Sequence, residues 1–195
     1  MNNVMLDTLP DEWNGYSIET DFRIGLQISQ LLYDSDYTEF ERITGCINLL
    51  YYDIPENIEI ALQGLTWFMN GWNHDCLESN DNIRCVDFDI DQWRIYSAFL
   101  NQYHIDLSIE EMHWWKFMGL LTSLNECAYT QVAGIRSEKI DPRLSAKEKT
   151  AKKKAKRIYA IQNREVQEDL SSEEKLRYDE FMKFAKIKKA NTEPE

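Results

Sequence analysis

The sequence predicts a mainly α-helical fold: a single helical domain with a short extended or hairpin N-terminal arm and a charged helical C-terminal extension. Three observations carry that prediction. Apolar residues recur at three- and four-residue spacing through most of the chain. Seven glycines and four prolines are too few to turn the many short strands of a sandwich or barrel. Hydrophobic residues make up 43% and aromatics 12%, enough to build a core and to argue against wholesale disorder.

The elements follow in chain order. In "LPDEWNGYSIET" the Asn14-Gly15 pair is a hairpin-turn signal, and Leu9, Trp13, Tyr16 and Ile18 can pack the arm over helices. A first helix places Phe22, Leu26, Ile28, Leu31 and Leu32 at helical spacing, with Gly25 as a weak point. A second presents Tyr37, Phe40, Ile43, Ile47, Leu50 and Tyr51, with Asp36 as cap and Glu39 reaching back to it. A third follows Pro55 and is striped by Ile58, Leu62, Leu65, Met69 and Trp72, with Gly71 or Asn73 as its stop. Residues 73–86 are polar and read as a loop. A fourth helix starts near Asp91 and buries Ile95, Phe99 and Tyr103, with Trp93, Tyr96 and Leu100 beside that face. A fifth is expected from the Ser108/Glu111 capping pair to about Cys127 or Tyr129. Two more, about 146–162 and 172–188, begin at the Ser145/Glu148 and Ser171/Glu174 pairs.

Charge divides the chain into an acidic helical domain, 1–140, and a charged, net basic helical extension, 141–195. The first carries 7 basic and 23 acidic residues, net −16; the second carries 15 and 11, net +4. The acidic part would repel nucleic acid and anionic membrane. The run "KEKTAKKKAKR" lacks interleaved aromatics and reads as a solvated helix face, which makes nucleic acid an unfavoured partner. The opposite charges could also draw copies together into a homo-oligomer, an association that salt would weaken. No apolar run approaches the roughly 18–20 residues that span a bilayer, and no signal peptide is visible, so an intracellular, soluble protein is expected.

Chemistry is hard to assemble from these residues. Cys46, Cys76, Cys85 and Cys127 fit no zinc or redox spacing and read as reduced thiols, with a Cys76–Cys85 bridge as the alternative. Asp87, Asp89 and Asp91 alternate as in a calcium loop, but Gln92 stands where glycine is needed and Ala98 where a bidentate carboxylate is needed. They are expected to cap the helix that follows. His74, His104 and His113 form no metal motif, and no phosphate-binding loop or nucleophile elbow occurs. The expectation is a protein that is not an enzyme and holds no cofactor or metal.

The stretch "SIEEMHWWKFMGLL" then asks why one helix carries adjacent tryptophans. At about 100° per residue, Trp114, Phe117, Met118, Leu121 and Leu124 form one stripe, taken as the core face. Met112, Trp115 and Gly119 form a second strip on another side. Leaving a tryptophan in water forfeits several kcal/mol, at roughly 25 cal/mol per Å² over some 150–250 Å². The helix is therefore either sandwiched within the domain or placed at an interface, where Met112, Trp115 and Gly119 would bind a partner. Phe181 and Phe184, in the last expected helix, are the other partner-binding candidates.

"IYSAFLNQYHIDL", "MHWWKF" and a following "GIR" together resemble a family of small phage proteins of siphophages and prophages of Gram-positive bacteria, encoded near the tape-measure gene. The early "LP", the helix at Asp21 and "ALQGLTWFMNGW" support the resemblance, which spans about residues 5–162. Tyr96, Phe99, His113, Trp114, Trp115 and Phe117 match its recurring pattern, without saying whether they fold the domain or touch a client. The resemblance implies a tail-assembly chaperone in the host bacterial cytoplasm, with the tape-measure protein, and in turn the tail-tube protein, as partners. Two alternatives stand beside it: a structural or adaptor protein of the virion tail, and a nucleic-acid-associated regulator acting through the basic C-terminal helix.

Overall fold

The computed structural model describes residues 4–72 and 84–161. Its elements are β1 (Glu12–Trp13), β2 (Tyr16–Ser17), α1 (Phe22–Leu32), α2 (Glu39–Leu50), α3 (Ile58–Asn70), α4 (Gln92–Tyr103), α5 (Trp114–Thr122), α6 (Ala128–Ser137) and α7 (Ala146–Tyr159). The protein is mainly α-helical, as expected.

The arm is a minimal antiparallel hairpin that pairs Glu12 with Ser17 and Trp13 with Tyr16. Asn14 and Gly15 both hold positive φ, 49° and 83°, as a two-residue hairpin turn of this hand requires. Beyond it the chain acts as a clasp. The Glu19 amide donates to the Leu50 carbonyl, and the Tyr52 amide donates to Ser17. Just beyond, the Phe22 amide donates to Met112 and the Trp114 amide to Thr20, so Asp21 and His113 form an isolated bridge.

That second pairing corrects the fifth helix. Residues near 112 are held extended against the end of the arm, so α5 begins at Trp114, not Ser108. The cap is His113, whose Nδ1 accepts the Trp115 amide at 3.0 Å. Ser108 instead donates its amide and hydroxyl to Asp106, in a single turn whose Ile109 and Glu110 amides reach the Asp106 carbonyl. The helix also ends early, at Thr122, and α6 is a separate element. In α2 the competing pair wins: Thr38 and Glu41 make the capping box, not Asp36 and Glu39. The Asp91 start of α4, the Gly71 stop of α3 and the Ser145/Glu148 box of α7 are as expected.

The core is an aromatic stack. Phe117 lies nearly parallel to Phe22 (centroids 4.9 Å), Phe99 (5.2 Å) and Trp114 (5.7 Å), which ties α5 to α1 and α4. Trp114 lies so close to α1 that a Cβ on Gly25 would fall 2.2 Å from its ring. The glycine that weakens α1 as an isolated helix is the one that lets the ring in. α7 contributes no buried residue. It lies along α6 through Lys152 to the Glu138 carboxylate, Lys156 to the Glu138 carbonyl, and Arg136 Nε to the Tyr159 carbonyl. The expected helix at 172–188 lies outside the described residues.

Candidate partner-binding groove

Residues of α1, of α4 and the approach to it, of the 107–108 turn and of α5 build a groove of about 390 Å³ on the side of α4 that faces α1. Its floor is core: Phe22, Ile95 and Phe117, all buried. Leu26, Phe88, Tyr96 and Leu107 make the walls, and Arg23, Gln92, Trp93 and Ser108 make the rim. Trp93 is 72% exposed, edge-on to Tyr96 at 5.8 Å. Ile109, next to the rim residue Ser108, is 76% exposed.

The wall formed by the 106–110 turn is fixed to α1 by one side chain. Arg23 donates through Nη2 to the carbonyls of Leu107 (3.1 Å) and Glu110 (2.9 Å), while Nη1 pairs with Asp21. The charged residue of the lining is Arg23, and two acids, Asp89 and Asp106, stand next to the rim. Gln92 on the rim donates to the Asp89 carbonyl. Hydrogen bonds from Ser108 hold the Asp106 carboxyl below its ordinary range, and Asp106 in turn raises the Tyr96 hydroxyl through a hydrogen bond. Such an opening suits an apolar segment.

The three aspartates expected to cap α4 divide their work. Asp87 Oδ1 accepts the Asp89 and Ile90 amides, each at 3.0 Å, and so caps the turn that leads into the helix. Asp91, at the N-cap position, makes no cap bond with its side chain. It turns inward instead and takes Arg136 in a two-point ion pair, with Arg94 and the Asp87 amide as further donors. Among the described residues no group of three or more His, Cys, Asp or Glu side chains could hold a metal ion.

Met112, Trp115 and Gly119 do not form the continuous strip expected on one helix. Met112 precedes α5 and is buried at 7% exposure. Trp115 is half-buried: its Nε1 donates to the Phe68 carbonyl at 2.7 Å, and its ring meets Trp67 edge-on at 4.9 Å. Trp67 packs against Trp13, so Trp115 continues an aromatic seam from α3 to the arm. Gly119 is open, since a Cβ there would meet nothing within 4 Å. Phe181 and Phe184 lie outside the described residues, as do His74 and Cys76. Cys46 is buried, with its thiol pushed up to about 11 by desolvation.

His113 has a structural use that spacing alone could not reveal. Nδ1 accepts the Trp115 amide and Nε2 donates to the Pro10 carbonyl at 2.9 Å, a pattern that requires the neutral ring. Burial lowers its pKa and keeps it neutral. The groove itself was only half visible in the sequence. Trp93 falls off the Ile95–Phe99–Tyr103 stripe, which marks it as surface, but nothing local shows that α1 and the 106–110 turn complete a cleft beside it.

The geometry defines a class: a small, acidic, mainly α-helical protein with an apolar groove. Its family follows from comparison with known sequences. The chain belongs to the Bacteriophage Gp15 protein family, whose model matches residues 5–161, and it is therefore a bacteriophage protein. No curated protein and no solved structure gives a significant match.

Proposed function

We propose that this phage protein is a tail-assembly chaperone that holds the tape-measure protein before tail-tube subunits polymerise around it, in the cytoplasm of the infected host. The observation that carries the reading is the groove beside α4, with an exposed tryptophan on the rim of an apolar cleft. Burying one tryptophan contributes as much as roughly 4–6 kcal/mol at about 25 cal/mol per Å². Lost translational freedom and side-chain ordering offset much of that. The balance favours binding that is real but reversible, which a chaperone displaced by tube subunits needs. The acidic groups beside the opening keep an apolar surface soluble between clients.

Co-expression with the tape-measure protein tests the proposal. A chaperone keeps the tape measure soluble, co-purifies with it and is absent from finished particles. Recovery of the protein in purified virions would make it a tail component instead. A second reading rests on Lys147, Lys153, Lys154 and Arg157, which are exposed along α7. A regulator acting through them would bind DNA with an affinity that collapses as salt rises.

A further inference from the structure

We infer that the outward face of α7 docks on a second copy of this chain, against the acidic surface where the hairpin arm meets the α2–α3 turn. The inference does not depend on what the α4 groove binds.

The docking face follows from how α7 is fastened. Seven of its fourteen residues are basic, and its one acid, Glu148, is held at the helix start by Ser145. Three of the lysines serve its own chain. Lys152 reaches the Glu138 carboxylate, Lys156 the Glu138 carbonyl and Lys149 the Pro142 carbonyl. At about 100° per residue those three share one side of the helix, while Lys147, Ala151, Lys154 and Ile158 fall within about 60° of one another on the opposite side. All four are exposed, as are Lys153 and Arg157 beside them.

The complementary face lies in the first third of the chain. Residues 4–72 hold twelve acids, two arginines and no lysine. Both arginines are already engaged, Arg23 with Asp21 and two carbonyls, Arg42 with the Asp34 carbonyl. Five of the acids belong to the junction of the arm with the α2–α3 turn. Tyr52 donates its amide to Ser17, the strand partner of Glu12, and its hydroxyl to Glu19. Asp53 and Glu56 are exposed in the turn that follows, and Glu59 stands in the first turn of α3. Tyr52 and Ile54 are exposed among these carboxylates. The two faces therefore match: cations around Ile158 on one, carboxylates around Tyr52 and Ile54 on the other.

The same chain cannot bring them together, because Lys152 and Lys156 hold the inner side of α7 on the end of α6 and leave its outer stripe facing away. A second copy supplies the acidic face at the same concentration as the stripe. DNA suits the stripe less well, since residues 1–140 carry net −16 and repel it. Exposed ion pairs each contribute little, so the contact is weak. It weakens further as the screening length falls from about 10 Å in 0.1 M salt to about 3 Å in 1 M.

Sedimentation equilibrium of the full chain, up to about 0.5 mM, reaches the affinities expected of a small polar contact. The wild type is expected to self-associate at least about tenfold more tightly in 0.1 M than in 1 M salt. K147E/K154E alone and D53K/E56K alone should each lose at least about tenfold, because each then sets like charges face to face. Mixing the two variants should restore association to within about threefold of the wild type, since every face again meets its opposite. All four positions are exposed, and thermal melts matching the wild type confirm that both variants are folded. A monomeric wild type, an association unmoved by salt, or a mixture no tighter than the separate variants overturns the inference. So does a K147E/K154E protein that loses binding to a DNA duplex but self-associates as before, which would assign the stripe to nucleic acid.

Discussion

Arg136 and Asp91, 45 residues apart, are joined inside the protein by two hydrogen bonds, Nη1 to Oδ2 at 2.5 Å and Nη2 to Oδ1 at 3.1 Å. Arg136 also donates to the carbonyls of Cys85 and Tyr159. One side chain thus connects α6, the approach to α4, the first turn of α4 and the end of α7.

Removing Arg136 takes the two-point partner from Asp91, which has no exposure and keeps only the part-exposed Arg94 as a cationic partner, and removing Asp91 takes the ion-pair partner from Arg136, which is 6% exposed. R136M is expected to lower stability by about 3–5 kcal/mol. A double replacement, D91L/R136M, should cost distinctly less than the sum of the single changes. Denaturant unfolding of the full chain and the three variants checks the coupling; additive losses would mean that the pair is not energetically joined.

The neutral His113 sets a pH dependence. Its folded pKa lies below its ordinary value of 6.5, so the unfolded chain binds the proton more readily. Stability is therefore full above about pH 6.5 and falls as pH drops through that value toward the folded pKa. Protonated Nδ1 could no longer accept the Trp115 amide. Melting curves from pH 7.5 to 5.5 should show a loss in the wild type that H113N lacks, measured against its own value at pH 7.5.

Gly25 and Trp114 make a steric prediction. G25A raises intrinsic helix propensity by about 1 kcal/mol but places a methyl into the indole. The clash wins if the ring has nowhere to retreat, and Phe117 and Phe88 pack on the same indole. A net loss of about 1–3 kcal/mol is expected, read by thermal or denaturant unfolding.

The adjacent tryptophans should differ in degree. W114A removes a fully packed ring and is expected to lose about 3–5 kcal/mol. W115A removes a half-buried ring and its bond to Phe68, with a smaller loss of about 1.5–3 kcal/mol. A Trp115→Ala variant as stable as the wild type would show that the seam with Trp67 contributes nothing to the fold.

Local chemistry was legible and long-range pairing was not. Asn14-Gly15, Ser145/Glu148 and Gly71 act through their own backbone neighbourhoods, so sequence alone exposes them. The Ser108/Glu111 pair has the same local form, yet residues 20–22 claim the backbone groups of 112–114 and leave that pair no helix to cap. Asp91 and Arg136 sit in two stretches that both looked distinctive, "DFDIDQ" and "GIR", but no spacing rule connects them. The groove is a still later product, since it needs α1, α4 and the Arg23-held turn in place together.

The proposed binding of the tape-measure protein at the rim of the α4 groove can be measured in solution. Titrating purified tape-measure segments into the full chain and into W93D/I109D tests it most directly. Both residues are more than 70% exposed, so the variant should melt within about 1 °C of the wild type. At least a tenfold loss of affinity is expected, with the fold unchanged. Equal affinity for both proteins would contradict it.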